Sequence, residues 1–308
     1  MAAHLRITAS SRALCTRARR ESAHASTILQ MHRLVHFMKH ICSAIACACM
    51  ISATAPNADA PVQVRGTQWR RLADGRTAIM VQFTVEKEWH MYWMNPGDSG
   101  APPKATANLP AGWKLGRPIW PRPRILKQQD ETLFVHEGAW SWLVPIEGAT
   151  LDQAPNFAIE LRLSWMACKQ VCVVGKATVT VAPPVGDIEP LAKIVEGSAI
   201  PTEVVSEYAI KLESTQPAHF TLAGPAHGAS AARFLQAVDA GVSLQCKNPC
   251  VATVQDDRIA IDAPVQLRAQ DALGQPFAIS GLLLLGDKPS DPCLWIRSVV
   301  ISSATQPR

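Results

Sequence analysis

The stretch Trp165-Met-Ala-Cys168-Lys-Gln-Val-Cys172 sets two thiols four residues apart. Such a pair can close a disulfide, exchange it with a partner, or ligate a metal. An alternating segment ends just before Cys168, and another, Ala177 to Val181, begins soon after Cys172. Cysteines flanking one hairpin loop can bring their Cα atoms within the roughly 4.4–6.8 Å that a disulfide needs. A short ring closed across a turn is prone to strain, and strained or exposed disulfides are the more reducible ones. Lys169 would favour a neighbouring thiolate, the nucleophile of exchange. The residues alone leave two further readings open. In an exported β protein such a pair also serves as a permanent staple. With His90 and His136 it could hold zinc, although the spacing matches no closed zinc motif.

Cys246-Lys-Asn-Pro-Cys250 repeats the spacing across an Asn-Pro turn. It reads as a structural disulfide pinning a hairpin, with a second redox site as the alternative. Cys293, near Trp295, is expected to be buried and inert.

An oxidising compartment is implied by the leader. His32, Arg33, Lys39 and His40 precede an apolar run of 11, Ile41 to Ile51, and small residues follow up to Ala58-Asp-Ala60. That is the layout of a secretory signal peptide, so residues 1–60 are expected to be a leader and the mature chain exported. Translation is expected to start at Met31 or Met38. A lipobox reading of Ala44-Ile-Ala-Cys47 would add a lipid anchor, but small Ala44 stands where a larger aliphatic is preferred. The run is too short to span a membrane, and no later segment qualifies.

The formal charge of +5 belongs to this leader. Seven of the 30 basic residues but only one of the 25 acids lie before residue 59, which leaves 23 basic against 24 acidic residues. No basic stripe survives to neutralise phosphates, so nucleic acid is not an expected partner.

The remainder reads as strands. Ile79, Val81, Phe83 and Val85 alternate with Met80, Gln82 and Thr84; Phe157, Ile159, Leu161, Leu163 and Trp165 alternate with Ala158, Glu160, Arg162 and Ser164. A period of two is the mark of a half-buried strand. Shorter candidates run from Ser141, Phe220, Arg258, Gln266 and Gly281, separated by Pro, Gly, Asn and Asp turns. Only Pro190 to Val195 and Ala231 to Ala240 hint at helical turns. The pattern predicts an all-β chain of sandwiches. A boundary near Pro183-Pro-Val-Gly186, and seven of nine tryptophans between Trp89 and Trp165, divide it into units over 61–186 and 200–302.

Four ordered motifs carry a family resemblance: Trp89-His-Met-Tyr-Trp-Met-Asn-Pro-Gly-Asp-Ser-Gly100; Leu109 to Trp113 with Ile119-Trp-Pro-Arg-Pro-Arg124; Phe134-Val-His-Glu-Gly138 with Trp142 to Ile146; and Leu163 to Gly175. Together they resemble the N-terminal periplasmic domain of DsbD-type thiol–disulfide interchange proteins, particularly the ScsB-like and stand-alone branch. Phe234 to Gly241 and Gly281 to Leu285 extend the likeness loosely to about residue 300.

The resemblance implies an immunoglobulin-like domain that takes electrons from a membrane-embedded DsbD/ScsB-like donor. It hands them to thioredoxin-like or disulfide-bearing periplasmic acceptors. Cys168 and Cys172 then cycle between dithiol and disulfide, and Cys172 is expected to make the lasting bond to the partner. His90 and Tyr92 match site-lining positions. Gln128 to Phe134 matches a cap segment with Phe134 as lid, and Asp130 and Glu131 match its acids. A lid limits loss of electrons to stray oxidants. The better-known branch spaces its cysteines more widely. The membrane and thioredoxin-like domains are not expected on this chain, so other chains would complete the relay. The competing reading is a non-enzymatic adaptor with a permanent staple.

No cofactor or metal is implied. Asp98 reads as a turn former, His136 as a solvated or satisfied histidine, and most tryptophans as packing. No Ser–His–Asp arrangement or phosphate loop stands out.

Overall fold

The computed structural model describes residues 60–301 except 149, 151–152, 205–206, 214–218, 238–241, 245–248 and 268–276. Residues 1–59, with Met31, Met38 and Cys47 of the expected leader, lie outside these residues, as does Cys246. Every regular element among the described residues is a β-strand.

The first ten strands are β1 (Val62–Arg71), β2 (Thr77–Val85), β3 (His90–Gly97), β4 (Lys104–Ala107), β5 (Lys114–Leu115), β6 (Arg124–Gln128), β7 (Glu131–His136), β8 (Ala139–Glu147), β9 (Ile159–Cys168) and β10 (Cys172–Val181). They form two facing sheets, one in the order β1-β2-β8-β5 and one in the order β10-β9-β3-β7-β6, with β4 also pairing β9. Alternation places the core face. Along β9, Ile159, Leu161, Leu163, Trp165 and Ala167 are buried while Glu160 and Arg162 are exposed. The inner faces meet in a cluster that includes Phe83, Trp93, Phe134, Trp140, Trp142 and Trp165. Each such side chain contributes on the order of 1.5–3 kcal/mol by leaving water.

Strand β2 departs from simple alternation. Met80 and Ala78 on its outer face are also buried, with Leu72 and Leu143, beneath Leu191, Val195 and Ile200. The connecting segment after β10 folds back over this sheet and covers a face that a two-layer reading leaves wet.

Two further sheets follow. One runs Thr202–Val204, Cys293–Ile301, Phe277–Leu285, Ala232–Gln236, Cys250–Val251; the other runs Ala209–Glu213, His219–Pro225, Arg258–Leu267, Val242–Leu244. Their core holds Phe220, Phe234, Ile259 and Leu283. Leu235, Leu282, Leu284 and Cys293 instead join the cluster of the first two sheets.

Neither helical hint holds among the described residues, and 238–240 of the second lie outside them. Ile194–Val195 and Ala232–Gln236 are strands. The second misleads because Phe234 faces one core and Leu235 the other. A strand buried on both faces loses its alternation and reads as a continuous apolar run.

Candidate redox site

Cys168 closes β9 and Cys172 opens β10, with only Lys169, Gln170 and Val171 between. The second strand therefore begins five residues earlier than its alternation suggests. The register pairs the cysteines directly. They form a disulfide with Cα atoms 4.1 Å apart, the close spacing of a non-hydrogen-bonded antiparallel pair.

The two sulfur-bearing residues differ in access because their strands do. β9 lies inside the sheet and β10 at its edge. Cys168 is 4% exposed, whereas Cys172 is exposed.

The motif that begins at Trp89 supplies strand β3. His90 is the register partner of Cys168, and Tyr92, two residues on, shares its outward face. The two rings meet edge to face, with the Tyr92 hydroxyl 3.3 Å from His90 Nε2. Burial pushes the His90 pKa down, partly opposed by Glu137. Burial also pushes the Tyr92 hydroxyl up, helped by the charge of Glu131. At neutral pH the nest therefore holds a neutral imidazole and a protonated phenol.

Tyr92, Leu133, Val135 and Cys168 form one buried cluster, flanked by Leu126 and Met166. The β6–β7 hairpin supplies its cover, but not through Phe134. That ring is fully buried in the main core, edge-on to Trp93 at 6.2 Å. The reason is the two-residue period of a strand: Leu133 and Val135 face the disulfide and Phe134 faces away. Sequence reasoning missed Leu126, Leu133, Val135 and Met166. Alternation put them on a common face, yet without a register it could not say which face met Cys168.

Asp130 sits at the exposed tip of that hairpin, beside Gln129 with φ of 53°. Exposed Glu131 accepts a hydrogen bond from Ser99 Oγ at 2.8 Å. Gln128 Nε2 donates to the Lys169 carbonyl at 3.2 Å, tying the hairpin to the disulfide loop. Lys169 itself is paired with Glu88 at 2.7 Å, so its charge is shared rather than turned wholly toward a thiolate. The turn residues of the β3 motif hold the cover in place. Asp98 accepts the Thr132 N–H at 2.7 Å, and the Gly100 backbone packs against the Tyr92 ring.

The zinc alternative fails on geometry. His136 pairs with Met91 on the core side of the sheet, opposite to His90. Among the described residues no group of three His, Cys, Asp or Glu is placed to hold a metal ion. Cys250 is disulfide-bonded and buried against Phe234. Cys293 is a buried free thiol, pushed up to about 12 by burial.

These features define an all-β, immunoglobulin-like protein with a half-buried disulfide at the mouth of an edge hairpin. Residues 60–184 match the family model described as thiol:disulfide interchange protein DsbD, N-terminal. This part of the chain is a DsbD N-terminal-like domain, related to thiol–disulfide interchange. Among solved structures, the N-terminal periplasmic domain of ScsB from Proteus mirabilis is similar, with 14% identity and a TM-score of 0.47, over 82% of this chain and 97% of that one. No curated protein matches the sequence. No helix among the described residues is long and apolar enough to cross a membrane.

Proposed function

We propose that the unit over 61–186 is a periplasmic thiol–disulfide relay, with the unit over 200–302 as its companion sandwich. It receives electrons from a membrane DsbD/ScsB-like donor and passes them to exported disulfide-bearing or thioredoxin-like acceptors. The observation that carries this reading is the asymmetry of the pair, with Cys172 exposed and Cys168 buried against Tyr92.

In reduction, a donor thiolate attacks Cys172 Sγ. The Cys168–Cys172 bond breaks and Cys168 leaves as a thiolate. A second donor thiolate then attacks the donor sulfur of the mixed disulfide, releasing Cys172 as the second thiolate and leaving the donor oxidised. In oxidation, the Cys172 thiolate attacks an acceptor disulfide and expels one acceptor thiolate. Cys168 then attacks Cys172 Sγ, expels the second, and restores the bond. Two electrons move in each half-cycle. His90 is the register partner of Cys168, and Tyr92 shares its buried cluster.

Redox titration tests the proposal. A relay requires a midpoint above about −300 mV, whereas a structural staple lies below it. The Cys168→Ser variant should accumulate mixed disulfides through Cys172 in periplasmic extracts, and Cys172→Ser should not. A pair that stays oxidised below that potential makes the chain an adaptor with a permanent disulfide.

A further inference from the structure

We propose that the open edge of β10 is the docking strand for an extended, cysteine-bearing segment of the thiol–disulfide partner, an inference that rests on the relay reading above. Among the described residues β10 pairs with β9 alone, which leaves its other edge unpaired.

The Cys168–Cys172 spacing gives the direction of the free groups. Residues of a non-hydrogen-bonded pair turn their N–H and C=O away from each other's strand. The β9–β10 register runs without a bulge, so Cys172, Val174 and Lys176 all present N–H and C=O to the open edge. Toward the far end, the Trp69 indole N–H donates to the Ala182 carbonyl at 2.8 Å. The accessible stretch is therefore the Cys172 end.

The chemistry selects the occupant. Exchange requires the attacking sulfur to approach along the axis of the bond it breaks. Cys168 and Cys172 lie side by side across the ladder direction. A third strand at the usual spacing of about 4.8 Å would set its register-matched residue next in the same row. A cysteine there completes a line of three sulfurs, with Cys172 in the middle. Pairing by strand addition also tolerates varied side chains, since the main chain supplies the affinity. Val171 (66% exposed) and Val174 (69% exposed) add apolar contact beside the thiol. Edge strands are ordinarily protected; this one begins at the exposed cysteine of the pair.

The probe is an eight-residue peptide of alternating Thr and Val with a central cysteine, activated as its thionitrobenzoate mixed disulfide. The reduced Cys172 thiolate attacks the peptide sulfur, releases thionitrobenzoate and forms the Cys172–peptide bond. The reduced protein should react at least tenfold faster with this peptide than with one carrying prolines on both sides of the cysteine. Val174→Pro removes an outward N–H while sparing the bonds to β9, a substitution edge strands accept. It should abolish that preference, yet leave the midpoint potential and the rate with dithionitrobenzoic acid unchanged. In Cys168→Ser held as the peptide adduct, the amides of Val174 and Lys176 should gain hydrogen-exchange protection, which tests the proposal even if the proline variant misfolds. Equal rates for the two peptides, or an adduct without that protection, overturn the docking strand while the relay stands. Protection that rises with protein concentration in the absence of peptide makes a second copy the occupant and also overturns it. A pair that small thiols cannot reduce removes the relay itself.

Discussion

At the scale of single residues, His136 has the sharpest consequence. It lies stacked on Trp140, with ring centroids 4.2 Å apart and planes 7° apart. Its Nε2 has no hydrogen-bond partner among the described residues. Burial pulls its pKa down to about 3, against about 6.5 in an unfolded chain. As pH falls through 6.5 the unfolded state takes up a proton and the folded state does not. Stability from this group is therefore complete above about pH 6.5 and is lost progressively toward pH 3. Between pH 7 and pH 5 the loss should be about 2 kcal/mol. Urea unfolding at the two pH values should show it, and His136→Phe should flatten the difference. An equal loss in both proteins would mean that His136 is protonated in the fold. The sequence suggests a solvated or satisfied histidine here, because nothing local announces that Met91 and Trp140 will enclose it.

Among elements, the end of β3 and the turn that follows it position the site's cover. Asn95 Oδ1 accepts the Gly97 N–H at 3.1 Å, and the Asp98 N–H donates to the Thr132 carbonyl at 3.1 Å. Gly100, at φ of 102°, has no room for a side chain, since an added Cβ would lie 2.2 Å from the Tyr92 ring. Gly100→Ala must shift Tyr92 and should cost roughly 1–3 kcal/mol from backbone strain alone. In the reduced protein, iodoacetamide should then modify Cys168 faster, by an amount read against Cys172 in the same sample. Unchanged modification would show that Tyr92 does not shield the thiol. The Pro-Gly-Asp-Ser-Gly turn and the cysteine hairpin were legible in the sequence, because turn formers and alternation act locally. The Leu126–Leu133 cover was not, because one residue of register decides which face of β7 meets Cys168.

Across the whole molecule, the motif Trp120-Pro-Arg-Pro-Arg124 acquires a role its sequence hides. Composition divides the chain near Pro183, yet the cores meet around Arg122. This guanidinium is buried, and burial lowers its pKa. It donates to the main-chain carbonyls of Pro292 at 3.0 Å, Leu285 at 3.3 Å and Asp291 at 3.4 Å, and also to Gly286. Its own N–H donates to Ala199 at 2.8 Å. Carbonyls are common to every residue, so no side-chain pattern could have revealed this contact. Arg117 adds a cation–π contact, 4.5 Å from the Trp295 ring centre. Arg122→Met keeps the length of the side chain but strands those buried acceptors, which should cost about 2–4 kcal/mol. Cys293, held beside Ala199 at 3.7 Å, reports the local outcome. It should resist thiol reagents in the native wild-type protein and react in Arg122→Met without denaturant, while the Cys168–Cys172 midpoint stays fixed. If Cys293 stays protected and stability is unchanged, the joint is held by the shared apolar cluster of Leu235, Leu282 and Leu284. A moved midpoint would instead tie the cysteine pair to the far sheets, with the Asn95 Nδ2 bond to the Gln236 carbonyl, at 2.7 Å, as the connection to cut next.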